Sequence, residues 1–363
     1  MKVELKPVDE ISADTESAWR ELASRALEPN PFGEADFVIP AARHLGRRVA
    51  LMTVRDGEHL RACVPVQRVG RWHKVPLPAI ASWHHRYTFL GTPLLDREAA
   101  ASTVDALVDY LRGSAGAARF LVLEWVAEGE VLTEIEAGFA RAGRPMARLD
   151  TFTRPLLVRD ASDVSSQSLG AETTKRLARR RRALERDHGP ARTILLEPDE
   201  ATVELFLKVE ASGWKGEQGT ALASRPEDSA FFRELCGRFA ASGRLEMRSL
   251  ELVDGTSIAV SCRLAAGDGT FCFKVGHDET FRKYAPGNQI EVDTMAQLEG
   301  SSVPRWIDSC SDPENDFFGR LFPQRRSLTT VVLPAGRFPG GALVKALPVA
   351  RRWWQRTRRK DDA

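Results

Sequence analysis

The chain has 363 residues, 43% of them hydrophobic and 28% charged, with a formal net charge of +2. That length exceeds one ordinary core, so two domains are expected, and the composition excludes a disordered or fibrous chain. The near-balanced charge excludes a global argument for nucleic-acid binding, although the basic residues are unevenly spread.

No apolar run approaches the ~18–20 residues of a membrane span. The first residues, "MKVELKPVDE", lack a secretory layout and read as a strand. Cys63, Cys236, Cys262, Cys272 and Cys310 form no CxxC pair, which suits reduced thiols in a cytoplasmic protein. Cys262 and Cys272 could face each other across a hairpin. The scattered histidines offer no zinc pattern, so no metal is expected.

After the first strand, 13–27 reads as a helix, with Trp19, Leu22, Ala23 and Ala26 on one stripe. A second helix is expected in 34–45. "VALMTVRDGEHLRACVPVQRV" reads as two strands around Asp56-Gly57, a hairpin signal. A strand is expected between Trp83 and Leu90, a helix at 97–112, a buried strand at "RFLVLEWV" and a helix at 129–143. "MARLDTFTRPLLV" supplies a further strand or two. A Ser/Asp/Gly-rich linker at about 160–171 leads to a basic helix, 173–187, stopped by His188-Gly189-Pro190.

The order then recurs. "ARTILLEP" is a strand, 199–212 and 227–241 are helices, and two strands flank Asp254-Gly255. "GTFCFKVGHD" is a strand, 288–300 a helix, and "PRWIDSC" and "RRSLTTVVLP" are strands. This repeat is one of element order, each copy about 150 residues, near the common domain size. The hairpins argue for α/β (α+β) domains with mixed, mostly antiparallel sheets flanked by helices. The expected organisation is 1–159, a linker and basic helix at 160–190, 191–336, and a tail at 337–363. GxGxxG, GxxxxGK[ST] and GxSxG are all missing from the sequence, which removes the signals of nucleotide folds and α/β-hydrolases.

This succession resembles the GNAT N-acyltransferase fold, and two copies in one chain resemble its FemX-like branch. "KRLARRRRALE" (175–185), "EASGWKGEQGTAL" (210–222), "DGTSIAVSCRL" (254–264) and "GHDETFRKYAPGNQIEVDTM" (276–295) resemble the acetyltransferase family associated with cellulose biosynthesis. Related members often carry Asp-Phe-Gly and then Tyr-Lys after the late strand, where this chain has "IDSCSDPENDFFGRLFPQRR". The resemblance implies acyl transfer from a thioester, usually acyl-CoA and here acetyl-CoA first, to the amine of a small-molecule, sugar or lipid-linked acceptor. It also allows an aminoacyl-tRNA donor. A third reading is a non-catalytic adaptor with degenerate transferase domains.

Thioester aminolysis needs a neutral amine near the carbonyl, a donor for the oxyanion and a place for the amine's proton. The resemblance implies that the loop Arg282–Gln289 contacts the donor's phosphates through its amides. Gly287 permits close approach, Arg282 and Lys283 add charge, and Asn288 is a contact or an N-cap. A plain helix-start loop is the competing reading. Asp278 is the first candidate for the acceptor-orienting or basic group, against a plain salt bridge to Lys283 or Arg282, and His277 is the second; adjacent strand residues face opposite sides, so only one should face a cleft. Asp308 could line the same cleft or cap a strand. Tyr284 could donate to a leaving thiolate or pack inside. Glu291 and Asp293 do not face each other on a helix and are not paired.

Trp214 and Lys215 could grip substrate, or pack and stay solvated respectively. The basic helix could gather phosphates from CoA, tRNA or an anionic acceptor, or bridge acidic neighbours. "RWHKVPLPAIASWHHRYTFLGTP" is aromatic and histidine-rich, yet adjacent His84 and His85 do not make a metal site. The tail sets Trp353 and Trp354 among arginines, which suits an anionic membrane surface at the inner face or a docked or unstructured tail, with Pro348 interrupting its stripe.

Overall fold

The computed structural model describes residues 1–46, 48–71, 78–113, 115–159, 169–212, 221–299 and 301–336. The chain forms two compact units. The first takes Met1–Ala42, Gly46–Phe152 and the chain from Ser327 onward; the second takes Arg43–Leu45 and Thr153–Arg326. Division in simple chain order is broken by the closing strand, Gln324–Pro334, whose Val331 and Leu333 bury in the first unit's core.

In the first unit come β1 (Lys2–Pro7), α1 (Ala13–Ser24), α2 (Ala35–His44), β2 (Ala50–Asp56), β3 (His59–Val69), β4 (Ala79–Ser82), β5 (Leu94–Leu95), α3 (Ala100–Gly113), β6 (Phe120–Ala127), α4 (Glu130–Arg141) and β7 (Ala147–Val158). Ser12 caps α1 by accepting from the Thr15 N–H at 3.3 Å, and Trp19 and Leu22 of α1 are fully buried. The sheet order is β1-β2-β3-β4-β6, then the closing strand and β7, with β5 beside β3. Val104, Val108 and Leu111 of α3 and Val131, Leu132 and Ile135 of α4 pack on Ile80, Leu121 and Leu123. The strand expected between Trp83 and Leu90 lies earlier, at Ala79–Ser82. Residues 83–92 instead run as loop, because their aromatic and histidine side chains pack on one another. His85 stacks on Phe37 at 5.6 Å and lies 4.8 Å from Trp83.

The second unit holds α5 (Ala171–His188), β8 (Ala191–Leu196), α6 (Glu200–Ala211), α7 (Pro226–Ala241), β9 (Leu245–Leu252), β10 (Ser257–Ala266), β11 (Gly269–His277), α8 (Pro286–Gln297), β12 (Trp306–Asp308) and α9 (Asp316–Leu321); the closing strand is β13. Its sheet order is β12-β11-β10-β9-β8, and Trp306–Asp308 also pair with Leu156–Val158 of β7. Among the described strands of this unit only β11 and β12 run parallel to each other. A bulge at Cys262/Arg263 shifts the hairpin register, so Cys272 sits opposite Arg263 and not opposite Cys262. All five cysteines are free and buried.

The β11–β12 pairing covers only Gly269–Phe271 against Trp306–Asp308. At its start, a Cβ on Gly269 would lie 2.0 Å from Trp306 Cε2, so only glycine lets the indole cover the strand. At its end, Asp308 is fully buried. Its Oδ1 lies 2.7 Å from Arg154 Nε as an ion pair, and the carboxylate accepts from Arg154 Nη2 at 2.8 Å, from Arg326 Nη1 at 2.6 Å and from the Cys310 N–H at 2.9 Å. Burial works against the charge, but Arg154 and Arg326 hold the carboxyl below the usual aspartate range. Arg326 in turn lies over the Trp306 ring at 4.6 Å and the Phe271 ring at 5.5 Å.

Breaking such a buried charge cluster by removing one member costs about 3–5 kcal/mol. Asp308→Ala should therefore lower the thermal midpoint sharply, read by circular dichroism. A depressed folded pKa stabilises the fold fully above the ordinary value of about 3.9 and is lost as the pH falls through the lower folded value. Asp308→Asn should accordingly show a shallower loss of stability below about pH 4 than the parent chain.

Candidate functional site

Past Phe271, β11 continues to His277 while the chain beyond β12 turns away. Cys310 takes a left-handed φ of 49° in that turn, and the chain returns as α9, capped by Asn315. The parted strands leave a cleft of about 330 Å³ walled by Val275 and His277 of β11, Arg282, the α8 start at Ala285–Asn288, Glu291, and Asn315, Phe317 and Phe318.

The residues after β11 explain the shape of the opening. Asp278 accepts from the Thr280 N–H and hydroxyl at 2.9 and 2.8 Å, which closes a 3-10 turn over Glu279–Tyr284. Ala285 then adopts φ 55°, ψ 53°, a left-handed conformation that disfavours a side chain, and Pro286 starts α8 one residue later. Pro286 has no N–H. The N–H groups of Asn288 and Gln289 turn back to the Ala285 carbonyl at 3.1 Å each. That leaves the Gly287 N–H as the first-turn donor with no carbonyl behind it, at the positive end of a twelve-residue helix.

The candidates separate clearly. His277, Arg282, Gly287 and Asn288 line the cleft. His277 Nε2 lies 3.2 Å from Glu279 Oε2. A proton shared there leaves Nδ1 as the acceptor, and Nδ1 is the atom nearest a Cβ built on Gly287, at 3.6 Å. Asp278, on the opposite side of the strand end, is a turn cap outside the cleft lining. It pairs with neither Lys283 nor Arg282: Lys283 reaches Asp187 at 3.8 Å and lies over the Tyr284 ring, while Arg282 is only 3.9 Å from Glu279.

Tyr284 is buried, and its hydroxyl donates to Asp187 at 2.7 Å, so it closes the α5 end and not the cleft. Gln289 is buried between the Tyr284 carbonyl at 2.7 Å and Arg181 at 3.0 Å, which makes it a strut of the helix start. Asp308 lies in the charge cluster below the parting. Trp214 and Lys215 fall outside the described residues.

Three residues with a part here carry no sequence signal. Glu279 is recognisable only once the strand end bends over it. Glu291 and Arg263 form a fully buried ion pair, Arg263 Nη2 donating to Glu291 Oε2. Burial works against the Arg263 charge, and Glu291 beside it more than offsets this, so the guanidinium stays charged. A hairpin residue and a helix residue 28 positions apart give no joint pattern.

The basic helix α5 divides its charges. Arg181 turns inward to Glu185, Gln289 and Asp293. Arg186 pairs with Asp187. Lys175, Arg176, Arg179 and Arg182 are exposed, and among the described residues no ion pair joins them.

The first unit also contains a short parallel pairing, Ala79–Ala81 with Phe120–Val122, and the chain beyond it is bridged by polar contacts. Glu124 N–H donates to Ser82 Oγ at 2.9 Å, His84 Nε2 lies 3.2 Å from the Glu124 carbonyl, and Gly91 N–H donates to the Trp125 carbonyl at 2.9 Å. Burial pushes His85 down to about 3 and also lowers His84, so both rings are neutral packing groups at pH 7. Among the described residues no His/Cys/Asp/Glu group could hold a metal ion, and no helix is long and apolar enough to cross a membrane.

Residues 171–313, which contain this cleft, match the family model described as the acetyltransferase (GNAT) domain. The chain has the GNAT acetyltransferase fold. A conserved protein of unknown function from Bacteroides thetaiotaomicron VPI-5482 is similar at a TM-score of 0.58 and 11% identity, covering 92% of this chain and 100% of that one. FemX aligns at 0.57 and 10% identity over 95% of this chain and 99% of its own. L-PGS from Bacillus licheniformis aligns at 0.54 and 13% identity, over 96% of both chains. At these identities the likeness is one of fold. No curated protein matches the chain, and the similarities above give no support to the cellulose-biosynthesis part of the sequence resemblance.

A Cβ at Gly287 meets its neighbours at ordinary contact distance, 3.6 Å, so Gly287→Ala should fold and gain roughly 0.5–1 kcal/mol of helix stability. The branched Gly287→Val should also fold but fill the cleft mouth. Calorimetry should then show donor affinity reduced about tenfold or more for valine; unchanged affinity in the folded valine variant would remove the α8 start from the site.

Proposed function

We propose that the chain is an N-acyltransferase whose second unit binds the acyl donor in the cleft at the α8 start. The donor is an acyl-CoA, acetyl-CoA first among them, and the acceptor is the amine of a small molecule, sugar or lipid-linked precursor. The observation that carries this reading is the parted β11–β12 pair opening onto the Gly287 N–H, inside the segment that matches the GNAT model. The first unit is then a second, tandem copy of the fold whose own opening is filled.

A thioester supplies an activated carbonyl to which the amine nitrogen adds, forming C–N and breaking C–S. The residues of this chain hold and neutralise. The Gly287 N–H and Arg282 suit phosphate oxygens at the cleft mouth. His277 Nδ1 suits the proton that the attacking amine must lose, and Glu279 keeps the imidazole in the tautomer that can accept it. Asp278, Tyr284 and Asp308 keep structural places around this centre.

A second reading, an aminoacyl-tRNA donor, is favoured by the unbridged cationic face of α5. Peripheral attachment to an anionic membrane rests on the sequence of the tail alone, which lies outside the described residues.

Titration of the chain with acetyl-CoA, longer acyl-CoAs and bulk tRNA should give CoA binding with negligible RNA affinity. Salt-sensitive RNA binding would move the reading to the aminoacyl donor, and binding of neither to an adaptor. His277→Gln should slow single-turnover transfer by about 10²-fold with donor affinity kept, and Glu279→Gln should slow it less. Full rates in both variants would remove the proton role from this pair.

A further inference from the structure

The cleft has two chemically different ends. At its mouth stand the Gly287 N–H and the exposed guanidinium of Arg282. Four residues along α8, about 6 Å by helical rise, stands Glu291. This carboxylate is 1% exposed, yet it forms part of the cleft wall. Its two oxygens are not equivalent. Oε2 takes the Arg263 guanidinium and lies 4.0 Å from the Cys272 thiol, which burial keeps protonated. Oε1 is buried with no hydrogen-bond partner. An unmet buried acceptor is expensive, and proteins retain few of them without a reason. Arg263 meets the carboxylate only through Nη2 at Oε2, and its own Nε and Nη1 are likewise buried without a hydrogen-bond partner.

We infer that Glu291 is a ligand-binding residue of the donor cleft, its Oε1 accepting a hydrogen bond from an N–H of the arm that carries the acyl group. This rests on the donor cleft proposed above and deepens it. The cleft is then read as a bipolar groove, with donors for an anionic head and an acceptor for a polar arm one helical turn further in. The amide N–H of a pantetheine-type arm has this chemistry, and so does the α-ammonium of an aminoacyl ester. The role is one of binding and positioning: Glu291 fixes how far the arm enters, and so where the carbonyl stops relative to His277.

The test is calorimetric titration of the full chain with three probes. Coenzyme A carries phosphates and the arm. Adenosine 3′,5′-bisphosphate carries phosphates without the arm. Puromycin carries an aminoacyl group with its ammonium. Glu291→Gln keeps the size of the side chain but replaces one oxygen by a donor. It should weaken coenzyme A at least about tenfold and leave the bisphosphate within about twofold. A selective loss for puromycin instead supports the same role with the aminoacyl ester as the source of the N–H.

Should the single variant fail to fold around an unpaired Arg263, the double variant Arg263→Met with Glu291→Met removes both charges at similar volume. Such replacements of buried pairs are tolerated in other folds. It should show the same selective loss. Unchanged coenzyme A and puromycin affinity in either folded variant overturns the inference, and so does an equal loss for coenzyme A and the bisphosphate. A parent chain that binds none of the probes brings down the proposed function itself, an outcome distinct from these.

Discussion

The buried carboxylate of Asp308 decides where two strands stop running together. It meets both nitrogens of Arg154 on one side and Arg326 on another, and it takes the Cys310 N–H as a cap. Two fixed cations and a backbone donor leave β12 no freedom to follow β11 further. The pairing therefore ends after three residues, at Phe271 and Asp308. Everything proposed for the second unit depends on that parting. The free length of β11 becomes a wall, and the diverging chain returns as α9 to supply Asn315, Phe317 and Phe318 opposite it. Asp308 thus acts beneath the site by setting its width.

Each unit has a short parallel strand pairing, and the residues beyond it differ. In the first, the strand edge past Leu123 is met by Ser82 at the end of β4 and by His84 and Gly91 of the loop after it, and the half-buried histidines are neutral among aromatics. In the second, the connection after β11 tightens at once into a 3-10 turn and then a helix. The backbone donor left over by Pro286 and Ala285 faces the opening and finds no protein partner behind it. A loop satisfies its neighbours with side chains, whereas a helix start presents an unpaired N–H with a favourable dipole.

Charge is distributed by the same logic. Arg181, Arg154, Arg326 and Arg263 are turned inward and each is bound to an acid, so they hold elements together. Arg282 and the outer row of α5 keep their charge in solvent, where it can act on anions. The Arg263–Glu291 pair stands between these groups. It is buried like the first, yet Glu291 Oε1 and Arg263 Nε and Nη1 have no hydrogen-bond partner, and Glu291 belongs to the cleft lining.

Much of the fold was legible in the chain because its signals are local. The Asp56-Gly57 and Asp254-Gly255 hairpins, the 3.6-residue stripe of α1 and the stop after α5 each depend on residues close in sequence, and the structure places all of them. The stretch from Gly276 to Met295 was likewise recognisable as the segment to watch, since a strand, a polar turn and a helix start follow in twenty residues. The strand at Ala79–Ser82 was not, because four residues, three of them small, carry too short a pattern and the aromatic run after them imitates a strand. Sequence put Asp278 ahead of His277, and the structure reverses that order, with His277 in the cleft lining and Asp278 capping a turn. Only the bend at Thr280 turned one into a cap and the other to the cleft. Asp308 looked like a candidate for chemistry, because its two arginines lie 154 positions before it and 18 after it. Glu279 and Arg263 went unseen, and Glu291 was set aside, for the same reason. A lone acid on a helix has no meaning until packing removes it from water and leaves one oxygen without a partner, and that is settled by tertiary contacts that no local pattern encodes.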